Sequence, residues 1–187
     1  LEIGCSTGEL SKLIWRNHLD HPLGATFKSW IGMDISQEMI DRCKEQLEEY
    51  EAMQPFGAPY ASKVVKVDTL EEPNRAFKEA TTPAEAFGPS PTVVLIDIGG
   101  NRECGPVVKT IAWVLEAFDK DLRMVIVKSR ALVRQLRSDT ERVQNADDNE
   151  GIPALDASTG IISGGAEWFE ATHKQLLVAK RNRFEQR

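Results

Sequence analysis

Short apolar runs alternate along this chain with stretches whose apolar positions recur every three or four residues. That alternation predicts βα units and a mostly parallel sheet. The first run closes at Leu1-Glu2-Ile3-Gly4. A helix is expected from about Ser6 to His18, with Leu10, Leu13 and Ile14 inward. Ser6 and Glu9 have the S-x-x-E spacing of a capping box. A second strand, Ser29 to Ile35, leads to a helix capped by Ser36 and reaching about Tyr50, with Met39, Ile40, Cys43 and Leu47 on one side. A third strand, Lys63 to Val67, precedes a weaker helix from about Glu71 to Ala80. The fourth, Thr92 to Asp97, is apolar throughout, as expected of a strand buried on both faces.

Pro106 is expected to open the next helix, with Val107, Ile111, Leu115 and Phe118 inward. A fifth strand, Arg123 to Lys128, and a helix from Arg130 to about Arg137 follow. Residues 138–163 are polar, carry Asp147-Asp148-Asn149-Glu150, and are expected to form a long mobile loop over the acceptor side. Two last runs, Glu167 to Thr172 and Gln175 to Lys180, are separated only by His173-Lys174, which predicts an antiparallel hairpin. The opening strand is shorter than a central strand usually is, so its start is expected to lie upstream of Leu1.

The 187 residues suit one domain, 1–187, with one core. Hydrophobic residues make up 41% and charged residues 28%, and no apolar run is long enough for a membrane span. An intracellular location is expected. A net charge of −6 argues against a protein that coats nucleic acid non-specifically. The basic cluster Lys180-Arg181-Asn182-Arg183 still offers a local contact to a phosphate backbone. Cys5, Cys43 and Cys104 have no C-x-x-C spacing and read as reduced thiols, and no metal site is expected.

In an open parallel sheet, ligands bind beyond the carboxyl ends of the strands. Four of these ends carry usable chemistry. Gly4-Cys5-Ser6-Thr7-Gly8 lets the backbone approach a ligand and turn into a helix. Asp34, at the end of strand 2, suits the two hydroxyls of a ribose. Asp68, after strand 3, can accept from an adenine amino group. Asp97 closes strand 4. A dinucleotide-binding domain would instead require G-x-G-x-x-G, which Gly4 to Gly8 lacks.

Leu1 to Gly8 resembles motif I of class I S-adenosylmethionine-dependent methyltransferases, E/D-x-G-x-G-x-G, with Ser6 in place of the middle glycine. Asp34 and Asp68 match that family's ribose and adenine acids. The resemblance runs over essentially the whole chain. It implies a doubly wound, Rossmann-like α/β fold with a mostly parallel seven-stranded sheet and a C-terminal antiparallel hairpin. It also implies S-adenosyl-L-methionine as cofactor, held by Glu2, Gly4, Cys5, Ser6, Thr7, Gly8, Asp34, Ile35, Asp68, Thr69 and Asp97.

The acceptor is less defined. The place of the (N/D)-P-P-(Y/F) loop of many base-nitrogen and glutamine methyltransferases reads Asp97-Ile98-Gly99-Gly100 here, which disfavours that subclass. Lys128 closes strand 5 and is expected to be partly desolvated, which would lower its pKa and suit a general base. The Asp97/Lys128 arrangement resembles the RNA ribose 2′-O-methyltransferases and their Lys-Asp-Lys-Glu set. The first lysine of that set would precede Leu1, and its glutamate has no counterpart in register, Glu170 being only near. The expectation is a methyltransferase acting on RNA first, with Asp97 and Lys128 catalytic. A small-molecule or protein acceptor, or an inactive methyltransferase-like binding module, is the alternative.

Overall fold

The computed structural model describes residues 1–20, 29–52, 61–82, 90–98, 104–144, 154–155 and 162–163. Their contacts divide the chain into two units: Leu1–Ile98 with Val114–Lys128, and Gly99–Trp113 with Ser129–Arg187.

The first unit is built on a five-stranded, all-parallel sheet. Its strands are β1 (Glu2–Ile3), β2 (Ser29–Asp34), β3 (Ala61–Lys66), β4 (Val93–Ile96) and β5 (Met124–Val127), in the order β3-β2-β1-β4-β5. This is a Rossmann-like α/β arrangement. The chain first steps outward from β1 to β2 and β3, then returns to the other side of β1 for β4 and β5. The order therefore reverses at β1/β4, and a ligand crevice is expected at such a reversal. Pairing continues past the assigned strand ends: Asp97 N–H donates to Ile3 O (2.8 Å) and Lys128 N–H to Ile96 O (2.9 Å).

Helices α1 (Glu9–Asp20) and α2 (Gln37–Ala52) pack together, and α2 lies against β2 and β3. Between them lies a core of Cys5, Trp15, Trp30, Ile40, Cys43, Leu47 and Tyr50. Trp15 meets Trp30 edge to face at 5.1 Å, a geometry worth about 0.5–1.5 kcal/mol beyond area burial. The Tyr50 hydroxyl donates to Trp15 O (2.8 Å) and joins the two helices. Helix α3 (Pro73–Thr81) starts with proline, whose missing N–H costs nothing in a first turn. Its Phe77 stacks on Phe118 at 5.8 Å.

Helix α4 (Cys104–Ala117) runs from the second unit into the first, and α5 (Arg130–Gln144) belongs to the second. In the second unit, β6 (Ala154–Leu155) pairs antiparallel with β7 (Ile162–Ser163).

Several boundaries differ from those read in the sequence. Ser6 does not cap α1. It sits at φ 50°, and the first turn closes from Lys12 N–H onto Gly8 O (2.8 Å), so the helix begins three residues late. Ser36 does cap α2: its Oγ accepts from Met39 N–H (3.4 Å) and its carbonyl from Ile40 N–H (3.0 Å). Helix α4 starts at Cys104, ahead of Pro106, and Leu115 is 39% exposed while Val108 and Val114 are buried. Strand β4 is not buried throughout, since Val93 is 40% exposed. The span expected as one loop, 138–163, holds the end of α5 and the β6/β7 pair. The Asp147–Glu150 cluster and the expected hairpin of Glu167–Thr172 and Gln175–Lys180 lie outside the described residues.

Candidate functional site

The loop after β1 is shaped by departures from ordinary backbone at three alternate residues. Gly4 has φ 81°, Ser6 φ 50° and Gly8 φ 86°. A side chain at Gly4 would place its Cβ 2.2 Å from the Asp97 carbonyl oxygen. Only glycine lets the β1 loop run this close to the end of β4. Ser6 pays for its left-handed conformation with a bond: its N–H donates to Asp34 Oδ2 at 3.0 Å.

Asp34 thereby joins two loops. Its other oxygen, Oδ1, accepts from Ser36 N–H at 2.9 Å, an Asx-type turn. A carboxylate has about four lone-pair directions, so two remain for a ligand diol. Asp68 is oriented in a similar way. Its Oδ1 accepts from Leu70 N–H (2.9 Å) and Glu71 N–H (3.2 Å), and among the described residues no bond falls on Oδ2. The acids at the ends of β2 and β3 are thus held by their own loops. Ile35, 46% exposed, adds an apolar surface next to Asp34.

On the other side of β1, Lys128 Nζ donates to Asp97 Oδ2 at 2.7 Å. The β4/β5 register sets this up: Ile96 pairs with Val127, which makes Asp97 and Lys128 the next residues on neighbouring strands. The lysine side chain is 75% exposed, so the expected desolvation of Lys128 does not occur. The strand ends in the open, and the ammonium reaches water while its carboxylate partner stays 17% exposed.

No protein family, curated protein or solved structure matches the chain.

The sequence-predicted residues therefore fall into two sets. Gly4, Ser6, Gly8, Asp34, Ile35, Asp68, Asp97 and Lys128 lie along the carboxyl edge of the sheet, with backbone or side chain facing outward or toward the neighbouring loop. Glu2, Cys5 and Thr69 turn their side chains inward, at 1%, 2% and 6% exposure. Thr7 is half-buried. Gly99 and Gly100 lie outside the described residues.

Glu2 is the notable inward residue. Its Oε2 accepts from Ser11 Oγ (2.7 Å) and Trp30 Nε1 (3.1 Å), while Oε1 meets no donor among the described residues. Burial pushes this carboxyl up to about 7, against the opposing pull of the two hydrogen bonds. Cys5 is likewise held above the ordinary thiol range, by the neighbouring Cys43 thiol and by burial. Ser11 and Trp30 escaped the sequence reading: a serine on an amphipathic helix and a tryptophan in a strand give no signal that they share a buried acid. Among the described residues no group of histidines, cysteines and acids could hold a metal ion. No described helix is long and apolar enough to cross a membrane.

Proposed function

We propose that this chain is an S-adenosylmethionine-dependent methyltransferase domain whose sheet is the seven-stranded, hairpin-terminated form of the fold. The observation that carries the reading is the placement of Asp34 and Asp68 at successive strand ends, both held by backbone amides with acceptor capacity to spare. That donor–acceptor set fits an adenosine: a diol at Asp34, an adenine amino group at Asp68, and an apolar ring face at Ile35. The glycine loop would take the amino-acid end of the cofactor.

When bound, S-adenosylmethionine supplies a methyl group made electrophilic by its sulfonium. What is left to the protein is alignment of the acceptor and removal of its proton. Asp97 and Lys128 are the groups available for that work beyond β4 and β5. An ion pair at 2.7 Å holds Lys128 beside Asp97, which suits an anchor for an oxygen nucleophile. This favours a hydroxyl acceptor, with an RNA ribose 2′-OH first and a small molecule or protein second. The catalytic and RNA-modifying roles stand or fall with one experiment. The chain is incubated with methyl-labelled S-adenosylmethionine and fractionated cell extract, and label is expected in RNA. Label in protein or metabolites would reassign the acceptor. Tight S-adenosylhomocysteine binding with no label in any fraction would make the chain a binding module.

A further inference from the structure

Glu2 and Ser11 stand on either side of the glycine loop. Glu2 lies on β1, two residues before Gly4; Ser11 lies in the first turns of α1, three residues after Gly8. Their 2.7 Å bond therefore joins the strand that enters the loop to the helix that leaves it. The same carboxyl oxygen takes Trp30 Nε1 from β2 at 3.1 Å, so β1, α1 and β2 meet at one atom. The whole residue is 1% exposed and its second oxygen has no donor among the described residues.

A neutral carboxyl fits this setting and an anion does not. With the proton on, Oε2 keeps both donors and little charge is stranded. With the proton off, half of a full charge sits on Oε1 with neither water nor a donor, a cost that two hydrogen bonds to the other oxygen do not offset. The surrounding groups do not reverse this. Asp97 beyond β4 is a like charge, the Cys5 thiol in the loop is held above the ordinary thiol range, and the Leu1 amino group pulls the other way but is itself disfavoured in its charged form by burial.

We infer that Glu2 is a proton-held clamp on the glycine loop: its neutral carboxyl ties the strand before the loop to the helix after it, and loss of the proton loosens the loop. The clamp needs water to reach Oε1 once Glu2 ionises, and water enters only if α1 parts from β1 and β2. Glu2 is thus a positioning residue and never meets a ligand. That the loop it positions is a cofactor loop rests on the methyltransferase reading.

The test is backbone amide exchange of residues 4–11 in the ligand-free chain between pH 5 and 8, corrected for intrinsic exchange. Protection in the native chain should fall by up to about tenfold per pH unit and level off near neutrality, the form that linkage to one proton imposes. Glu2→Gln puts a neutral amide in the same shape and should make protection independent of pH. Ser11→Ala cuts the tie to α1, so protection should be lower than in the native chain even at pH 5, and because the lost donor favours the ionised form, levelling off should move to higher pH. Protection in the native chain that does not change with pH, or an equal fall in Glu2→Gln, overturns the clamp. S-adenosylhomocysteine should restore protection to the native chain at pH 8. Failure of that arm alone, with the pH profiles as expected, counts against the cofactor reading and leaves the clamp intact.

Discussion

Lys128 Nζ and Asp97 Oδ2 lie 2.7 Å apart, yet the lysine is three-quarters exposed and the aspartate mostly covered. An ion pair this open to water contributes about 0–1 kcal/mol to stability. Its contribution to stability is therefore small, and it lies beyond the ends of the neighbouring strands β4 and β5. Lys128→Met is expected to cut methyl transfer by about a hundredfold or more, the range for losing one group that stabilises a developing oxyanion, and to leave the melting temperature and S-adenosylhomocysteine binding unchanged. Asp97→Asn should lower turnover less, because the lysine remains but loses its ion-pair tether. Undiminished turnover in Lys128→Met would remove both the catalytic assignment and the main argument for an RNA ribose.

Asp34 holds two backbone amides and is proposed to hold a ligand diol, and two substitutions grade the loss. Asp34→Ala removes the acceptor for Ser6 and Ser36 N–H and, on the proposed reading, the acceptor for a ligand diol. Charge-assisted bonds are worth about 1.5–3 kcal/mol each, so affinity for S-adenosylhomocysteine should drop by at least about tenfold. Asp34→Asn keeps one acceptor oxygen and should fall between native and alanine. Calorimetry on the three proteins checks the order; equal affinities would remove Asp34 from the site.

The two glycines of the loop should differ in tolerance. Gly4→Ala combines φ 81° with a Cβ 2.2 Å from the Asp97 carbonyl oxygen, a backbone atom that has nowhere to go. Gly8→Ala has φ 86°, but its Cβ meets the Cys43 sulfur at 3.1 Å, and a side chain can yield a few tenths of an ångström. Both carry strain of order 1–3 kcal/mol, and Gly4→Ala adds a clash on top. Denaturant unfolding should rank Gly4→Ala as clearly the less stable of the two.

Glu2 sets the sign of one pH effect on stability. Its carboxyl titrates at about 7 in the folded chain and near 4.5 when free of the fold. The folded state therefore holds the proton more tightly. The stability this confers is fully present below about pH 4.5, fades as pH rises toward 7, and is gone above it. The interval corresponds to roughly 3 kcal/mol at most. Glu2→Gln should thus melt higher than the native chain at pH 8, with the gap closing on acidification. A gap that widens toward pH 5 would mean that the folded state prefers the anion.

Thiol titration offers an independent check on packing. Cys5 and Cys43 are buried and Cys104 is partly exposed. A small disulfide reagent should label one thiol quickly in the native chain and the other two only on unfolding.

The sequence carried the sheet better than the site. Apolar runs bounded by Gly, Pro and Asp located all five parallel strands to within two residues, since strands in a sheet core have little freedom in composition. Asp97 and Lys128 were legible as a pair because consecutive βαβ strands are normally neighbours. The reading failed where local rules met tertiary demands. Ser6 has the spacing of a cap, but Asp34 claims its N–H and bends the loop, so Gly8 starts the helix instead. Glu2 matched a ligand motif by position, yet strand alternation turns it toward α1 and Trp30. A strand this short shows no periodicity from which the inward face could be read. Lys128 follows an apolar run, but alternate residues of that run are open, with Met124 54% and Ile126 47% exposed.

The position of β1 has a consequence for how the protein assembles in time. β1 pairs with β2 on one side and with β4 on the other, and the bond from Leu1 N to Val93 O spans 92 positions of chain. Closing so long a segment costs entropy before any contact rewards it. The β2/β3 pair, with α2 between its strands in sequence, has far shorter distances to close and can form early. The glycine loop, wedged between Asp34 and the Asp97 carbonyl, takes its final shape only once β4 has docked. The region with the most chemistry is therefore expected to be the last to fold, and a destabilised variant would lose ligand binding before it lost most of its secondary structure.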